Sequence, residues 1–362
     1  MKLVSSFYLT AFFLFSLSLG AALKSGENSY IYRGMRPLGM GGAHIAVADD
    51  YNALFYNPAG LNNIQSWRVE IFNVGIGISS QVKNIVSNIS DLGGDVADIA
   101  GIVEESIGSN HHLSFEFVPS WVMHNFGLAL VEDFKANVRV RNQAVPEVGL
   151  YAKNDVVTVV GLAGRFWDRF QIGGTLKSIY RFTADENLSA LDILNDIPEV
   201  RDIVSEGQAW GIDLGVNYIL PLPFKQKVGM QIADVFNTKF NLGLVNAVSG
   251  AGTPDTIGRT INLGYKIEPP AFYYLTPVVA IDFRDVLNTS KSSYIKRLYL
   301  GTEMKLPFIF TVRAGLHQGF LSLGASADFW LITLDILSYA EELGVGYQNP
   351  DRRYYLKISM GI

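Results

Sequence analysis

The sequence predicts an all-β membrane protein, a barrel of about fourteen antiparallel strands in an outer membrane, with an amino-terminal segment folded into its bore. Three observations predict it. The 362 residues are 49% hydrophobic and only 17% charged, where a soluble domain carries about 25% charged residues, so much of the surface does not face water. Alternation of apolar and polar residues with period two recurs from Trp67 to the carboxyl end. The connections between the alternating segments are by turns short and long, as in barrels with short periplasmic turns and longer outer loops.

Residues 1–22 read as a secretory signal. Lys2 supplies a positive start, Leu9 to Leu19 an apolar run, and Gly20 and Ala22 the small residues of a cleavage site. The run, interrupted by Ser16 and Ser18, is shorter than the roughly 20 apolar residues of a spanning helix. The chain has no cysteine, which excludes a lipid-modified amino-terminal Cys and any disulfide framework. Its net charge of −5 gives nucleic acid no basic surface to bind. The expected address is the outer membrane of a bacterium, reached by export.

Residues 23–66 are expected to form the plug. Gly34 to Leu61 is too rich in glycine to be one helix and too apolar to be a solvated linker. Gly39, Gly41 and Gly42 allow tight turns or a close approach to another backbone. Asp49 and Asp50 precede the apolar patch Ala53, Leu54, Phe55 and Tyr56, and Asn57-Pro58 marks a break, because a residue before proline avoids the helical region.

Residues 67–362 carry the strands. In the last one Tyr354, Leu356, Ile358, Met360 and Ile362 alternate with Lys357, Ser359 and Gly361, which puts the two sets on opposite faces. Phe310, Val312, Ala314 and Leu316 alternate with Thr311, Arg313, Gly315 and His317. Leu321, Leu323, Ala325 and Ala327 alternate with Ser322, Gly324, Ser326 and Asp328. Ile212, Leu214, Val216 and Tyr218 alternate with Asp213, Gly215 and Asn217. Strand centres are expected near Ile71, Phe117, Leu130, Val159, Leu176, Val216, Met230, Leu263, Ile281, Leu300, Val312, Ala325, Leu334 and Ile358. Short turns fall at His124-Asn125, Trp167-Asp168, Pro221 to Lys225, Leu306-Pro307 and Phe329-Trp330. Long connections fall at Ser80 to Asn110, Thr183 to Glu206, Asn241 to Gly258 and Leu343 to Arg353. Both ends of the barrel sequence are then periplasmic, and Trp121, Phe166, Trp167, Phe170 and Trp330 gather near turns as an interfacial girdle would.

Two outer loops, 80–110 and 183–206, are expected to be partly helical. Ile85, Ile89, Leu92, Val96, Ile99, Val103 and Ile107 form an amphipathic stripe, and Leu191, Leu194, Ile197 and Val200 a second. The stripes either pack on the barrel mouth or form an apolar groove.

The chemistry of a site is sparse. There is no G-x-S-x-G elbow, H-E-x-x-H pair or P-loop, so neither an enzyme nor a cofactor is expected. His111, His112 and His124 do not make a metal site: twelve residues of strand span roughly 40 Å, and solvated loop positions are expected for them. Arg313, His317, Asp282, Arg284, Arg297, Glu303, Tyr355 and Lys357 are expected to face inward. They pair with one another and with the plug, or one of them, such as Arg284 or Arg313, holds a carboxylate head group. Asp282 and Arg284, two residues apart, are expected to pair.

The runs Pro37-Leu38-Gly39-Met40-Gly41-Gly42-Ala43, Ala46-Val47-Ala48-Asp49-Asp50 and Asn57-Pro58-Ala59-Gly60-Leu61 resemble the amino-terminal region of the FadL/TodX superfamily of outer-membrane transporters, including PorV-type and spirochaete FadL-like barrel proteins. The resemblance implies that this segment is a hatch, with Asn57, Pro58, Ala59 and Gly60 as its motif and Phe55 and Tyr56 near the passage. With Arg284, Arg313 and His317 these are the ligand-passage candidates, and Gly41-Gly42 and Asn57-Pro58 are candidate hinges. It implies transport of hydrophobic small molecules, long-chain fatty-acid-like or detergent-like, across the outer membrane through the plugged barrel, from an outer groove to an inner pocket and then sideways through a gap in the wall, with outer-membrane lipid as a partner. PorV-type relatives imply the alternative, a docking barrel that binds a protein partner through its outer loops.

Overall fold

The structure, a computed structural model, describes residues 30–81, 108–141, 147–189, 203–242, 248, 250–271, 273, 275–343 and 350–362. The expected signal, the first amphipathic stripe and the stripe from Leu191 to Val200 lie outside the described residues. Fifteen strand segments follow one another: β1 Arg68–Ser79, β2 Asn110–Phe117, β3 Ser120–Met123, β4 Phe126–Arg141, β5 Glu147–Phe166, β6 Phe170–Ser189, β7 Val204–Ile219, β8 Lys227–Ala233, β9 Thr260–Ile267, β10 Thr276–Phe283, β11 Leu298–Lys305, β12 Phe310–His317, β13 Phe320–Asp328, β14 Ile332–Glu342 and β15 Pro350–Gly361. β2 and β3 share both neighbours, β1 and β4, and are two halves of one stave interrupted at Val118-Pro119. The wall therefore has fourteen antiparallel staves, each beside its sequence neighbour. β15 pairs with β1 from Ser79↔Arg353 to Glu70↔Gly361 and closes the cylinder, which leaves no strand edge exposed. All fourteen expected strand centres fall in their staves.

The period-two pattern becomes an outside and an inside. On β15 Tyr354, Leu356, Ile358 and Met360 are exposed, while Arg353, Tyr355, Lys357 and Ser359 are buried. On β12 Phe310, Val312 and Leu316 are exposed and His317 is buried. Ile212, Leu214 and Tyr218 on β7, Val279 and Ile281 on β10, and Leu321 and Leu323 on β13 continue the outer belt. Charge on such a belt costs about 2–4 kcal/mol per Arg or Lys at the bilayer midplane, and the inward faces hold the charges: Lys153, Asp155, Lys177, Asp213, Asp282, Glu303 and Lys357 are all buried.

The wall is uneven. β5 and β6 have 20 residues each, whereas β9 to β12 have 8. At about 3.3 Å per residue that is roughly 65 Å against 26 Å of strand, and a spanning strand needs only about 9–11 residues. The tall side accounts for one correction: Thr183 to Ser189 and Val204 to Glu206, read as loop, are strand in β6 and β7. A second departure lies across the bore, where β12 and β13 join at the long-loop end through Gln318-Gly319 alone. Glu341 and the Glu342 backbone bond both ends of the Gln318 amide, so the Gln318 side chain folds inward and is buried.

Candidate functional site

The segment from Gly34 to Ile64 runs round the inner face of the wall against the order of the strands. It contains α1 Met35–Gly39, α2 Ala53–Tyr56 and a 3-10 helix Pro58–Asn63. Gly39 meets Gly324 on β13, Met40 meets Gly301 on β11, and Ile45 meets Gly264 on β9. Pro58 meets Gly215 on β7, Pro58 and Ala59 meet Gly173 on β6, and Leu54 and Leu61 meet Gly161 on β5. The Ile64 carbonyl then lies 3.1 Å from His124 Nδ1, beside the short turn that precedes β4.

The seat is a girdle of inward-facing glycines on most of the staves that the segment crosses. A Cβ on Gly301 would lie 2.9 Å from Met40 Cβ and closer still to its carbonyl oxygen; one on Gly264 would lie 2.7 Å from Ile45 Cβ. One on Gly173 would lie 2.6 Å from Ala59 N, and one on Gly161 2.5 Å from Leu54 Cδ2. No real Cβ packs that closely, so at these positions only hydrogen lets segment and wall touch. The sequence reading did not assign this role, although the signal was present: Gly215, Gly315 and Gly324 already stood in the inward sets.

Polar bonds add to the seat. Asn57 is fully buried; its Nδ2 donates to Ile45 O at 3.0 Å and Asn217 Oδ1 at 2.9 Å, and its Oδ1 accepts from Ala59 N at 3.1 Å. It therefore caps the 3-10 helix, with Pro58 at the first helical position where no N–H is missed, and ties the segment to β7. Gly60 is buried against Ala48, whose Cβ a side chain there would meet at 2.8 Å. Asn57→Ala removes cap and tie together. The expected loss is about 1–2 kcal/mol of local stability, read as a roughly tenfold faster amide exchange at Ala59 and Gly60 with the strand amides unchanged.

The expected pairing of Asp282 with Arg284 is corrected. Asp282 Oδ2 accepts from His44 N at 2.6 Å and Ile45 N at 2.9 Å. Arg284 donates to Gly42 O, and its guanidinium lies 4.6 Å from the Tyr299 ring centre and 4.7 Å from that of Tyr56. Both side chains grip the segment, because backbone donors and aromatic faces were nearer than the charge two residues along. Tyr56 is buried and donates to Arg33 O at 2.6 Å. Phe55 is half-buried, its ring edge-on to Tyr32 at 5.0 Å.

Arg313 and His317 stand at different heights on β12. His317 is buried near the long-loop end, its Nδ1 3.3 Å from Gly41 O and its Nε2 3.3 Å from Glu341, which also takes Arg33 at 2.6 Å. Arg313 lies toward the short-turn end, its Nε donating to Glu303 at 2.7 Å. There a cavity of about 580 Å³ opens, lined by Arg36, Asp50, Glu303, Arg313, Asp335 and Lys357 among others. Arg36, unremarked in the sequence, bonds Glu303 through two nitrogens at 2.8 and 2.7 Å and reaches Asp49 at 2.5 Å and Asp50 at 2.9 Å. Burial alone would raise the Asp50 carboxyl; the Arg36 guanidinium, with His44 behind it, outweighs burial and holds it well below the usual carboxylate range. The candidate passage residues are thus spread along the bore, not gathered in one pocket.

The histidines need a second correction. His112 is not solvated: β2 begins at Asn110, so its ring points into the bore, 2.6 Å from Asn137 Oδ1 and 3.1 Å from Tyr355 OH. Among the described residues no group of three or more acidic, His or Cys side chains is placed to hold a metal.

Fold and bore together define a class, the closed antiparallel membrane barrel with its own amino-terminal segment packed inside. Three solved structures share the architecture. The CymD monoaromatic hydrocarbon channel matches with a TM-score of 0.56 at 12% identity over 92% of this chain and 98% of that one. A TodX monoaromatic hydrocarbon channel carrying the deltaS2S3 mutation matches at 0.55, 10% identity, 91% and 97%. A Pseudomonas aeruginosa FadL homologue matches at 0.52, 11% identity, 95% and 99%. At these identities the likeness is one of fold: this chain has the FadL-type barrel. No family model and no curated protein matches the sequence.

Proposed function

We propose that the protein passes hydrophobic small molecules, of the size and character of a fatty acid or an aromatic hydrocarbon, across a bacterial outer membrane, and that residues 31–64 are the hatch that closes the route. The observation that supports this most is the filled bore. Among the described residues the segment sits on the glycine girdle and many inward charges, such as Asp282, Arg284, Glu303 and Arg313, are engaged, which favours a closed bore over an open channel of the porin kind. An apolar solute gains nothing from an aqueous pore, but a shifting hatch offers it a route past apolar surface. The names of the structural neighbours, hydrocarbon channels and a FadL homologue, agree with this reading.

The wall supports one exit better than the other. The cavity at the short-turn end is lined with charge and suits an apolar solute poorly. The seam at Val118-Pro119 is the better candidate: proline withholds one ladder bond, the β1 ladder is interrupted there between Val74↔Phe117 and Glu70↔Ser120, and buried Val118 packs within the cluster that includes Tyr32, Leu54 and Leu61. Val118 N to Asn73 O and Leu130 N to Pro119 O, at 2.8 and 3.0 Å, hold it shut at rest. A solute leaving there enters the lipid directly.

The test uses purified protein in lipid vesicles. A fluorescent alkyl carboxylate and toluene are expected to equilibrate faster than in protein-free vesicles, while a hydrophilic dye of similar mass stays excluded. Entry of the dye with no gain for the apolar probes would overturn the reading. The height of β4 to β7 above the belt favours a second one, a platform for a protein partner, which a vesicle assay negative for every solute would leave standing.

A further inference from the structure

β7 outruns its neighbour. Its ladder to β8 ends at Leu214↔Ile232, while the strand continues up to Val204. The connection that leaves β8 covers the bare edge. Asn241 and Gln208 exchange two backbone bonds at 3.0 and 2.8 Å, and Glu206 N donates to Gly252 O at 2.9 Å. An unpaired edge needs such cover, but it does not need a side chain sent into the bore.

Phe240 is sent there. Two glycines on the inward face of β7 let the connection lie close: a Cβ on Gly211 would stand 2.8 Å from Thr238 Oγ1, and one on Gly207 3.1 Å from Phe240 Cβ. Lys177 fixes the start of the connection, donating to Asp213 at 2.7 Å and to Asp234 at 3.0 Å, and Thr238 Oγ1 donates to Asp234 at 2.6 Å. Past Thr238 the run is open to water, with Lys239, Asn241 and Leu242 exposed. Among them Phe240 is buried, its ring centre 5.1 Å from the Arg181 guanidinium.

Arg181 Nε and Nη2 each donate to one oxygen of Asp155, at 2.7 and 2.8 Å. That fork holds the guanidinium plane still and balances its charge, and it leaves the face for a ring. Ile179 and Ala209 belong to the same apolar cluster as Phe240, which reaches on to Tyr32 and Leu54 of the inner segment and to Val118 at the seam. One apolar cluster therefore joins a ring flanked by exposed residues to the proposed exit.

We propose that the slot on Arg181 is an outer binding site for a single uncharged aromatic ring, and that Phe240 keeps it filled until such a ring displaces it. A phenylalanine side chain is toluene joined to a backbone, so the guest that matches the vacated space has the size of benzene or toluene. A carboxylate is a poor guest, because Asp155 already holds the fork and repels a second anion. A saturated ring of equal volume fills the space but gains nothing from the cation face. The proposal rests on the reading that the barrel passes hydrophobic solutes, and it narrows the solute taken at this site to an aromatic one.

Fluorine resonance tests it, with Phe240 exchanged for para-fluorophenylalanine in the full chain in lipid vesicles. Toluene is expected to move the resonance saturably toward that of a solvated ring, while cyclohexane and octanoate leave it in place. Arg181→Lys keeps a charge beside Asp155 but has no flat face, and toluene should then half-saturate at a roughly tenfold higher concentration. If that variant folds badly, the three probes on the Arg181 protein carry the test alone. A resonance that ignores toluene, or answers cyclohexane equally, would overturn the proposal. Transport fails separately: a displaced resonance in vesicles that take up no toluene keeps the slot and removes transport, whereas uptake with an unmoved resonance does the reverse.

Discussion

Uptake of an apolar probe into vesicles is expected to stop when Gly39→Cys is joined to Arg313→Cys by oxidation, and to return on reduction. A Cβ on Gly39 would lie 3.4 Å from Arg313 Cβ, close to the roughly 3.5–4.5 Å of a disulfide. The chain has no cysteine of its own, so the two introduced thiols can only pair with each other. The bond ties α1 to β12 just ahead of Gly41 and Gly42, the positive-φ pair that is the proposed hinge. Glu303 keeps its two bonds from Arg36 in the variant, so the loss of Arg313 does not leave a bare buried carboxylate. The oxidised protein should fall to the rate of protein-free vesicles, and the reduced protein should recover most of the parental rate. Equal uptake in both states would mean that this part of the hatch need not move.

The opposite manipulation forces the hatch off its seat. Gly301→Leu puts four carbons where Met40 already lies. Overpacking of this kind costs typically about 1–3 kcal/mol, and the strain is relieved through the weaker partner. The wall at Gly301 is held by ladders to β10 and β12 on either side, whereas the segment around Met40 is held by short turns, so the segment moves. The expected result is a folded barrel with a steady ion conductance that the parent lacks in planar bilayers, and faster amide exchange from Met40 to Ile45. Gly164→Leu is the control: its Cβ has only Phe166 nearby, at 3.8 Å, and the conductance should stay closed. A Gly301→Leu barrel as tight as the parent would remove the girdle from the account of how the hatch is held.

The strands were legible because lipid outside and a polar bore inside impose one rule on every stave. A residue such as Leu356 or Ile281 has a single place to go, and its neighbours in sequence have the other. The plug was legible in part, since glycines this dense beside an Asn-Pro break have few uses other than close packing. Heights and partners were not. Arg313 and His317 share a face, and alternation says so, but four residues of strand place one by the charged cavity and the other beside Glu341. Asp282 and Arg284 looked like a pair, yet each found a nearer partner on a segment about 240 residues away in sequence. His112 was read as loop because the beginning of β2 carries no signal of its own, and the upper ends of β6 and β7 were missed for the same reason: outside the membrane a strand need not be apolar on either face.

By itself, then, the chain determined the closed cylinder, the count of its staves and its outward and inward faces, because each follows from local periodicity under a uniform solvent rule, and it signalled an inner segment through its glycines and its Asn-Pro break. Only the tertiary structure decided which glycines carry that segment and which charges hold it. Those depend on what stands opposite in space, and period-two order places a residue on a face without naming its neighbour across the bore.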